Sequence, residues 1–209
     1  MKFYDCQPAP SPRRVRMFIA EKGIEIPTVE VDLRIEEQLS DEFKKINPRC
    51  TVPVLELDDG TCLTDSLAIC HYLESQFPEP NLMGRDAREQ ALVMNWHEQT
   101  MTEGFLAGAE ALRNTARGFA DRALTGPENF EQIPVLAKRG RRRLEIFMEQ
   151  LNLRLAESNY VALDRFTMAD IGAYVCTEFA GWIKMPVRDR WQYIRRWCEE
   201  IDKRPSASV

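Results

Sequence analysis

The segment NPRCTVPVLE (47–56) sets a proline inside a run that otherwise resembles a buried strand. Val52, Val54 and Leu55 are apolar residues of the kind found in strand interiors, whereas Pro53 has no N–H to donate to a neighbouring strand. Within a sheet, proline is confined to edge strands or to the first residue of a strand. The segment is therefore either an edge strand or a strand that begins at a proline needed for another purpose.

The residues before this segment predict a strand, a helix and a second strand. Residues 2–6 form a short strand candidate. Ser11 is predicted to be the N-cap of the following helix, with Pro12 at its first position, where a missing N–H costs nothing, and Gly23 at its end. An alternation of apolar and polar residues then predicts a half-buried strand that includes Val29, Val31 and Leu33.

The remaining elements of this half complete a β-α-β-α-β-β-α order. A short helix is predicted over residues 41–46, Asp59-Gly60 is a two-residue hairpin signal, and a third helix runs to Pro78. This order, with a proline that opens the third strand, is the layout of the thioredoxin fold. In that fold the X–Pro bond is cis, and the backbone of the preceding residue can pair with an extended thiol peptide. We therefore interpret Pro53 as part of a binding site.

From Ala87 onward the strand signals vanish and helical spacing dominates, as at Leu144, Met148 and Leu155. The segment FPEPNLMGRD (77–86) has the composition of a linker. The predicted fold class is an α/β thioredoxin-like N-terminal domain plus an all-α C-terminal domain. We assign residues 1–80 to the first domain, 81–90 to the linker and 91–209 to the helical domain.

Composition excludes several other classes of protein. The net charge of −5 argues against nucleic-acid or anionic-membrane partners, and the basic run KRGRRR (138–143) is interpreted as the solvated face of a helix. Two histidines and six cysteines without a CxxC pair predict no metal site. No apolar run reaches the roughly 18 residues of a membrane span, and no signal peptide is visible, so a cytoplasmic location is expected.

Four segments together resemble the cytosolic glutathione S-transferases over nearly the whole chain. They are RRVRMFIAEKGI (13–24), NPRCTVPVLELDDGTCLTDSLAICHYL (47–73), FTMADIGAYV (166–175) and KRPSASV (203–209). The first two look closest to the second type of yeast glutathione transferase and its bacterial relatives. The resemblance implies that the first domain binds glutathione as a co-substrate and that the helical domain binds the acceptor.

The resemblance also implies which residues bind glutathione. Ser66 and its backbone N–H, at a helix N-terminus, would hold the γ-glutamyl carboxylate, and Asp65 would pair with the ammonium. Val52, ahead of Pro53, would bind the cysteinyl backbone, and Gln38 lies at the spacing of the glutamine near the glycyl carboxylate. The alternative for Asp65 and Ser66 is that they only cap the helix.

Catalysis in this family requires a group that stabilises the thiolate of glutathione, which is the nucleophile. Ser11 is the candidate, with Cys6 as a second one in the strand. Two alternatives stay open: the N–H groups of the helix N-terminus activate the thiol, or Ser11 is only an N-cap. Ala9 stands where a glutaredoxin-like catalytic cysteine falls, which weakens a redox role for the chain's own cysteines, although Cys6 and Cys50 flank the site.

The expected function is conjugation of glutathione to hydrophobic electrophiles, a detoxification reaction, with peroxide reduction as a further possibility. One alternative is a non-catalytic interaction module with the same fold, because the region 111–119 lacks the histidine that assists the thiol in the yeast relative. Another is a zeta-like, glutathione-dependent isomerase. It is disfavoured because Ala9-Pro10-Ser11 replaces that class's Ser-Ser-Cys run. A homodimer is expected from the resemblance, and the acceptor cannot be read from the sequence.

Overall fold

The computed structural model describes all 209 residues, which fall into two compact units. The first unit comprises residues 1–80, the segment Leu124–Asn129 and Val209. The second comprises Asn81–Ala123 and Phe130–Ser208. Nearly all strand structure lies in the first unit, and the second is built of helices, so the predicted fold class is confirmed.

The first unit is a four-stranded mixed sheet with three α-helices. The sheet has the order β2-β1-β3-β4, in which β1 and β2 are parallel and the other two pairs are antiparallel. The elements are β1 (Lys2–Asp5), α1 (Pro10–Lys22), β2 (Thr28–Glu30), α2 (Asp41–Ile46), β3 (Val54–Glu56), β4 (Cys62–Leu63) and α3 (Ser66–Gln76). This is the predicted β-α-β-α-β-β-α order. Helices α1 and α3 pack against each other, and Val15 and Phe18 of α1 and Ile69 and Leu73 of α3 are fully buried.

Helix α1 begins earlier than the sequence predicts. Its N-cap is Ala9, Pro10 is its first residue and Ser11 is its second, so the prediction that Ser11 caps the helix is wrong. The reason is that Pro10 suits the first helical position as well as Pro12 does, because its fixed φ is helical and no N–H is needed at that position. The end is as predicted: Gly23 adopts the left-handed conformation with φ 62°.

The second strand is shorter and more exposed than the alternation predicts. It ends at Glu30, and all three of its residues are exposed. Asp32 interrupts the pattern, because its carboxylate accepts the backbone N–H of Arg34 at 2.9 Å and caps a 3₁₀ turn that begins at Leu33. Val31 nevertheless lies in the core, and its N–H donates to the carbonyl of Asp5 at 2.8 Å.

The hairpin of β3 and β4 agrees with the sequence, with a wider turn. The Leu57 N–H donates to the carbonyl of Thr61 at 2.8 Å, which leaves a loop of three residues, 58–60, instead of two. Gly60 supplies the positive φ of 83° that the loop requires. At the other end of β3, the Val52–Pro53 peptide bond is cis, as the thioredoxin layout predicts, and the strand begins directly after the proline.

The second unit contains six α-helices and a π-helical turn. These are α4 (Ala87–Gln99), the π turn Thr100–Phe105, α5 (Leu106–Arg113), α6 (Pro134–Glu157), α7 (Met168–Ala180), α8 (Val187–Arg190) and α9 (Gln192–Ile201). Helix α4 therefore begins inside the segment assigned to the linker. No helix is long and apolar enough to span a membrane.

Helix α7 is the most buried helix of this unit, and a capping box forms its start. Asp170, fully buried, accepts the backbone N–H of Thr167 at 3.0 Å. The same carboxylate accepts the N–H of Val161 at 2.9 Å and the indole N–H of Trp197 at 3.1 Å. The residue at the start of the helix thus also connects two distant segments to it.

Candidate active site

The starts of helices α1 and α3 are joined by a small hydrogen-bond network. The Ser66 hydroxyl donates to the backbone carbonyl of Ser11 at 3.1 Å. Nη2 of Arg14 lies 3.2 Å from the Ser11 hydroxyl and 3.3 Å from the Ser66 hydroxyl, and donates to both. Arg14 and Ser66 are each only 3% exposed, whereas Ser11 is half-buried. The structure therefore brings together the predicted catalytic serine and the predicted carboxylate-binding serine.

At the start of α1, Ser11 is the group that can donate to a ligand. Pro10 and Pro12 have no N–H, and the N–H of Arg13 already donates to the carbonyl of Ala9 at 3.3 Å. Of the first helical turn, only the backbone N–H and the hydroxyl of Ser11 are left. Because that hydroxyl accepts from Arg14, its own proton is available to an outside acceptor. Because the two prolines have no N–H, Ser11 is the residue at this helix end whose backbone N–H and hydroxyl can still donate hydrogen bonds.

At the start of α3 the free donors are backbone groups. The first helical bond runs from the N–H of Ile69 to the carbonyl of Asp65 at 2.9 Å, so the N–H groups of residues 66–68 have no partner within the helix. Three such N–H groups at the positive end of the helix dipole form an anion site. The Ser66 hydroxyl proton is already used by Ser11, so Ser66 offers its N–H to an anion.

Asp65 lies at the N-cap position but does not cap the helix. Its side chain makes no hydrogen bond to a backbone N–H of α3 and is 66% exposed. A guanidinium nitrogen of Arg49 lies 3.7 Å from its carboxylate, a solvent-exposed ion pair of the kind that contributes little to stability. The capping alternative is thus not realised for Asp65, and its carboxylate can pair with an external cation.

The loop ahead of β3 presents an unpaired peptide group. Neither the N–H nor the carbonyl of Val52 has a hydrogen-bond partner in the chain, and Pro53 beside it is buried. Asn47, fully buried, holds the loop in place by donating to the carbonyl of Thr51 at 2.7 Å and accepting the N–H of Arg49 at 3.0 Å. The free backbone of Val52 suits an extended peptide that pairs as a short strand.

Gln38 lies apart from the other site residues in the 3₁₀ turn Glu37–Leu39, with no hydrogen bond to any of them. Its side-chain oxygen is buried and has no hydrogen-bond partner. The side-chain N–H₂ makes no hydrogen bond within the chain either, so it can donate to an outside acceptor. The residue therefore fits the predicted contact with a carboxylate.

The cysteines near these segments are not arranged as reactive thiols. All six are free. Cys6 is buried, and burial raises the pKa of its thiol, which opposes thiolate formation. Cys50 is buried as well, with its Sγ 3.7 Å from the carbonyl oxygen of Pro48. These surroundings assign both cysteines to packing.

Two residues of the site were missed at the sequence level. Arg14 carries a signal, because it breaks the apolar face of α1 next to Val15 and lies three residues after Ser11, on the same side of the helix. Asn47 precedes a proline in the Asn-Pro pair that starts many turns, but nothing in its spacing shows that its side chain would hold the loop ahead of β3.

Known proteins match this chain over its whole length. The family model "Glutathione S-transferase, N-terminal domain" matches residues 9–76. "Glutathione S-transferase 2" of Saccharomyces cerevisiae is 31% identical over 209 residues, which cover 99% of this chain and 87% of the relative. Two solved structures have a TM-score of 0.91. A glutathione S-transferase domain-containing protein of Marinobacter aquaeolei VT8 is 34% identical, with 99% of each chain covered. Gtt2 of Saccharomyces cerevisiae is 29% identical, with 100% of this chain and 99% of that chain covered.

Proposed function

We propose, from the premise that this chain belongs to the glutathione S-transferase family, that it conjugates glutathione to hydrophobic electrophiles. Membership of the family makes it an enzyme with glutathione as its co-substrate. The choice of conjugation rests on one observation: Ser11, whose own donors are free, accepts hydrogen bonds from Ser66 at its carbonyl and from Arg14 at its hydroxyl, and Arg14 also donates to Ser66 at the start of α3. A thiol peptide with a terminal carboxylate matches that pair of sites.

Each part of glutathione has a partner of suitable chemistry. The γ-glutamyl carboxylate is held by the N–H groups of Ser66 and its two successors, and its ammonium pairs with Asp65. The cysteinyl backbone pairs with Val52, in the loop that Pro53 terminates. The glycyl carboxylate accepts from the amide of Gln38. The family resemblance implied Gln38, Val52, Asp65 and Ser66 at these positions, and the free donors and acceptors at each of them support the assignment.

The Ser11 hydroxyl donates to the sulfur of glutathione and stabilises its thiolate relative to the thiol, so the proton leaves to solvent near neutral pH. The thiolate then attacks the electrophilic carbon, a sulfur–carbon bond forms, and the leaving group departs with its electron pair. Peroxide reduction is a second reaction open to the same thiolate, with two glutathione molecules supplying two electrons and ending as the disulfide.

The residues of the chain itself favour conjugation over thiol–disulfide exchange. Exchange through the protein needs an accessible cysteine with a lowered pKa. Ala9 stands where such a cysteine would lie, and the neighbouring Cys6 is buried with a raised pKa. An isomerase of the zeta type is disfavoured for a related reason, since Ala9-Pro10-Ser11 stands in place of Ser-Ser-Cys.

The function is tested by calorimetry with glutathione, followed by turnover assays. Chlorodinitrobenzene, an isothiocyanate, an organic hydroperoxide and a cis-dienoic acid are the substrates. We expect binding of glutathione and turnover of at least one of the first two electrophiles. Turnover of the dienoic acid alone would assign the isomerase alternative, and binding without any turnover would assign a non-catalytic module. Absence of glutathione binding would overturn the proposal altogether.

We also propose that the protein is a homodimer in the cytoplasm, as the family resemblance implies. Light scattering coupled to size exclusion should give about twice the 24.2 kDa of one chain. A particle of one chain mass at every concentration tested would contradict the dimer.

A further inference from the structure

Arg14 is a charged residue on the buried side of α1. Its neighbour Val15 and the next-turn Phe18 are both fully buried, and Arg14 itself is 3% exposed. A guanidinium is costly to bury, and it is retained in a protein interior where its hydrogen bonds hold other groups in place. Among the groups that Arg14 contacts are the Ser11 and Ser66 hydroxyls, at 3.2 Å and 3.3 Å.

A single guanidinium nitrogen, Nη2, makes both bonds and therefore fixes both hydroxyls at once. Each serine accepts from Arg14, which determines where its own proton points. The Ser66 proton goes to the carbonyl of Ser11 at 3.1 Å, and the Ser11 proton is left for an outside acceptor. A hydroxyl that accepts from a cation is polarised and becomes a stronger donor.

We propose that Arg14 is a positioning residue that orients the Ser11 hydroxyl toward the sulfur of glutathione and couples this orientation, through Ser66, to the carboxylate site at the start of α3. The inference rests on the proposed function. It assigns no contact between Arg14 and substrate. The guanidinium bonds to both serine hydroxyls. A change at Ser66, where the carboxylate binds, therefore also changes the orientation of the Ser11 hydroxyl, which faces the thiol.

The main test is Arg14→Lys, which keeps the positive charge but ends one bond closer to the backbone, short of the two hydroxyls. The readout is the pKa of the thiol of bound glutathione, followed by ultraviolet absorbance of the thiolate. We expect a rise of roughly one pKa unit, a tenfold loss of thiolate below that pKa. Arg13→Lys, on the same turn, is the matched control and should leave the thiol pKa unchanged.

A second measurement separates an action through Ser11 from a general effect of charge. In a Ser11→Ala background, Arg14→Lys should change the thiol pKa no further, because the hydroxyl through which Arg14 acts is gone. An equal shift in both backgrounds would overturn the proposal, as would a wild-type thiol pKa in Arg14→Lys. If wild-type protein binds glutathione and lowers its thiol pKa while Arg14→Lys does the same, only this inference fails and the proposed function stands.

Should Arg14→Lys not fold, as judged by circular dichroism, Ser66→Ala decides. This variant removes an acceptor of Arg14 and the bond to the Ser11 carbonyl. Coupling predicts that it raises the thiol pKa of bound glutathione with little change in KM, because the backbone N–H groups that hold the carboxylate remain. A higher KM with an unchanged thiol pKa would mean that the Ser66 hydroxyl serves carboxylate binding alone, and that result would overturn the proposal.

Discussion

At the scale of single residues, the position of Ser11 in its helix decides what its side chain can do. At the N-cap, its oxygen would accept a backbone N–H of the helix and its role would be structural. At the second helical position it has no such N–H to accept, and its hydroxyl accepts from Arg14. The sequence left open whether Ser11 caps the helix or serves catalysis. Because the helix begins at Pro10, Ser11 is not its cap.

We therefore expect Ser11→Ala to change chemistry more than stability. The thiol pKa of bound glutathione should rise by about one unit and kcat near neutral pH should fall roughly tenfold, with little change in the affinity for glutathione. Ser40 provides the matched control, because its hydroxyl does cap α2 by accepting the N–H of Phe43 at 3.1 Å. Ser40→Ala should cost about 1 kcal/mol in the free energy of unfolding and leave the thiol pKa alone. The opposite pattern would assign Ser11 a capping role.

At the scale of elements, α5 and α6 approach each other so closely that one position admits only glycine. A Cβ on Gly140 would lie 2.5 Å from the carbonyl oxygen of Ala107 and 2.8 Å from the backbone N of Ala111. Both are backbone atoms, so no side chain can move aside. Gly140 belongs to the basic run 138–143 of α6. In this run Arg139 pairs with Glu110 of α5, and Arg142 pairs with Glu145 of α6 itself.

Gly140→Ala should therefore destabilise the protein by about 1–3 kcal/mol, because α5 and α6 must separate. Gly181 is the control, since its φ of −60° and ψ of −30° suit any residue and nothing lies within 4 Å of its added Cβ. Gly181→Ala should be neutral or stabilise by about 0.4–1 kcal/mol. Urea unfolding of the two variants measures both effects. Equal stability of the two variants would show that the helices can adjust.

At the scale of the whole molecule, one buried carboxylate connects three segments of the helical unit. Asp170 joins the start of α7 to Val161 and to Trp197 of α9. Burial raises the pKa of Asp170 to about 6, while its hydrogen bonds act in the opposite direction. A carboxyl with a raised pKa in the folded state binds protons more tightly than in the unfolded state, so its contribution to stability falls as the pH rises.

The sign of the pH dependence follows from these two pKa values. Below the ordinary value of 3.8 the carboxyl is protonated in both states and its stabilising contribution is complete, and it is lost as the pH rises through about 6. The free energy of unfolding of wild type minus that of Asp170→Asn should therefore decline between about pH 4 and pH 6, by about 1–3 kcal/mol, and stay level above. Urea unfolding at several pH values measures this difference. A difference that rises with pH would show that hydrogen bonding outweighs burial.

The sequence by itself determined the features that depend on neighbouring residues. Gly23 ends α1, Asp41–Ile46 forms α2, and Pro53 opens the third strand, because caps, turns and proline constraints act within a few residues. These local signals, in their order along the chain, are enough for the thioredoxin-like layout, whereas the residues of the candidate site came from the resemblance to the glutathione S-transferases.

Only the tertiary structure decided how the site residues are bonded to one another. Ser66 reaches the carbonyl of Ser11 across 55 residues, and Arg14 reaches Ser66 across 52. No spacing rule encodes such partners, because they meet only where two helices pack side by side. Because of the same packing, the Ser66 hydroxyl donates its one proton to the Ser11 carbonyl and cannot also donate it to an anion. The backbone N–H groups at the start of α3 are left to bind the anion.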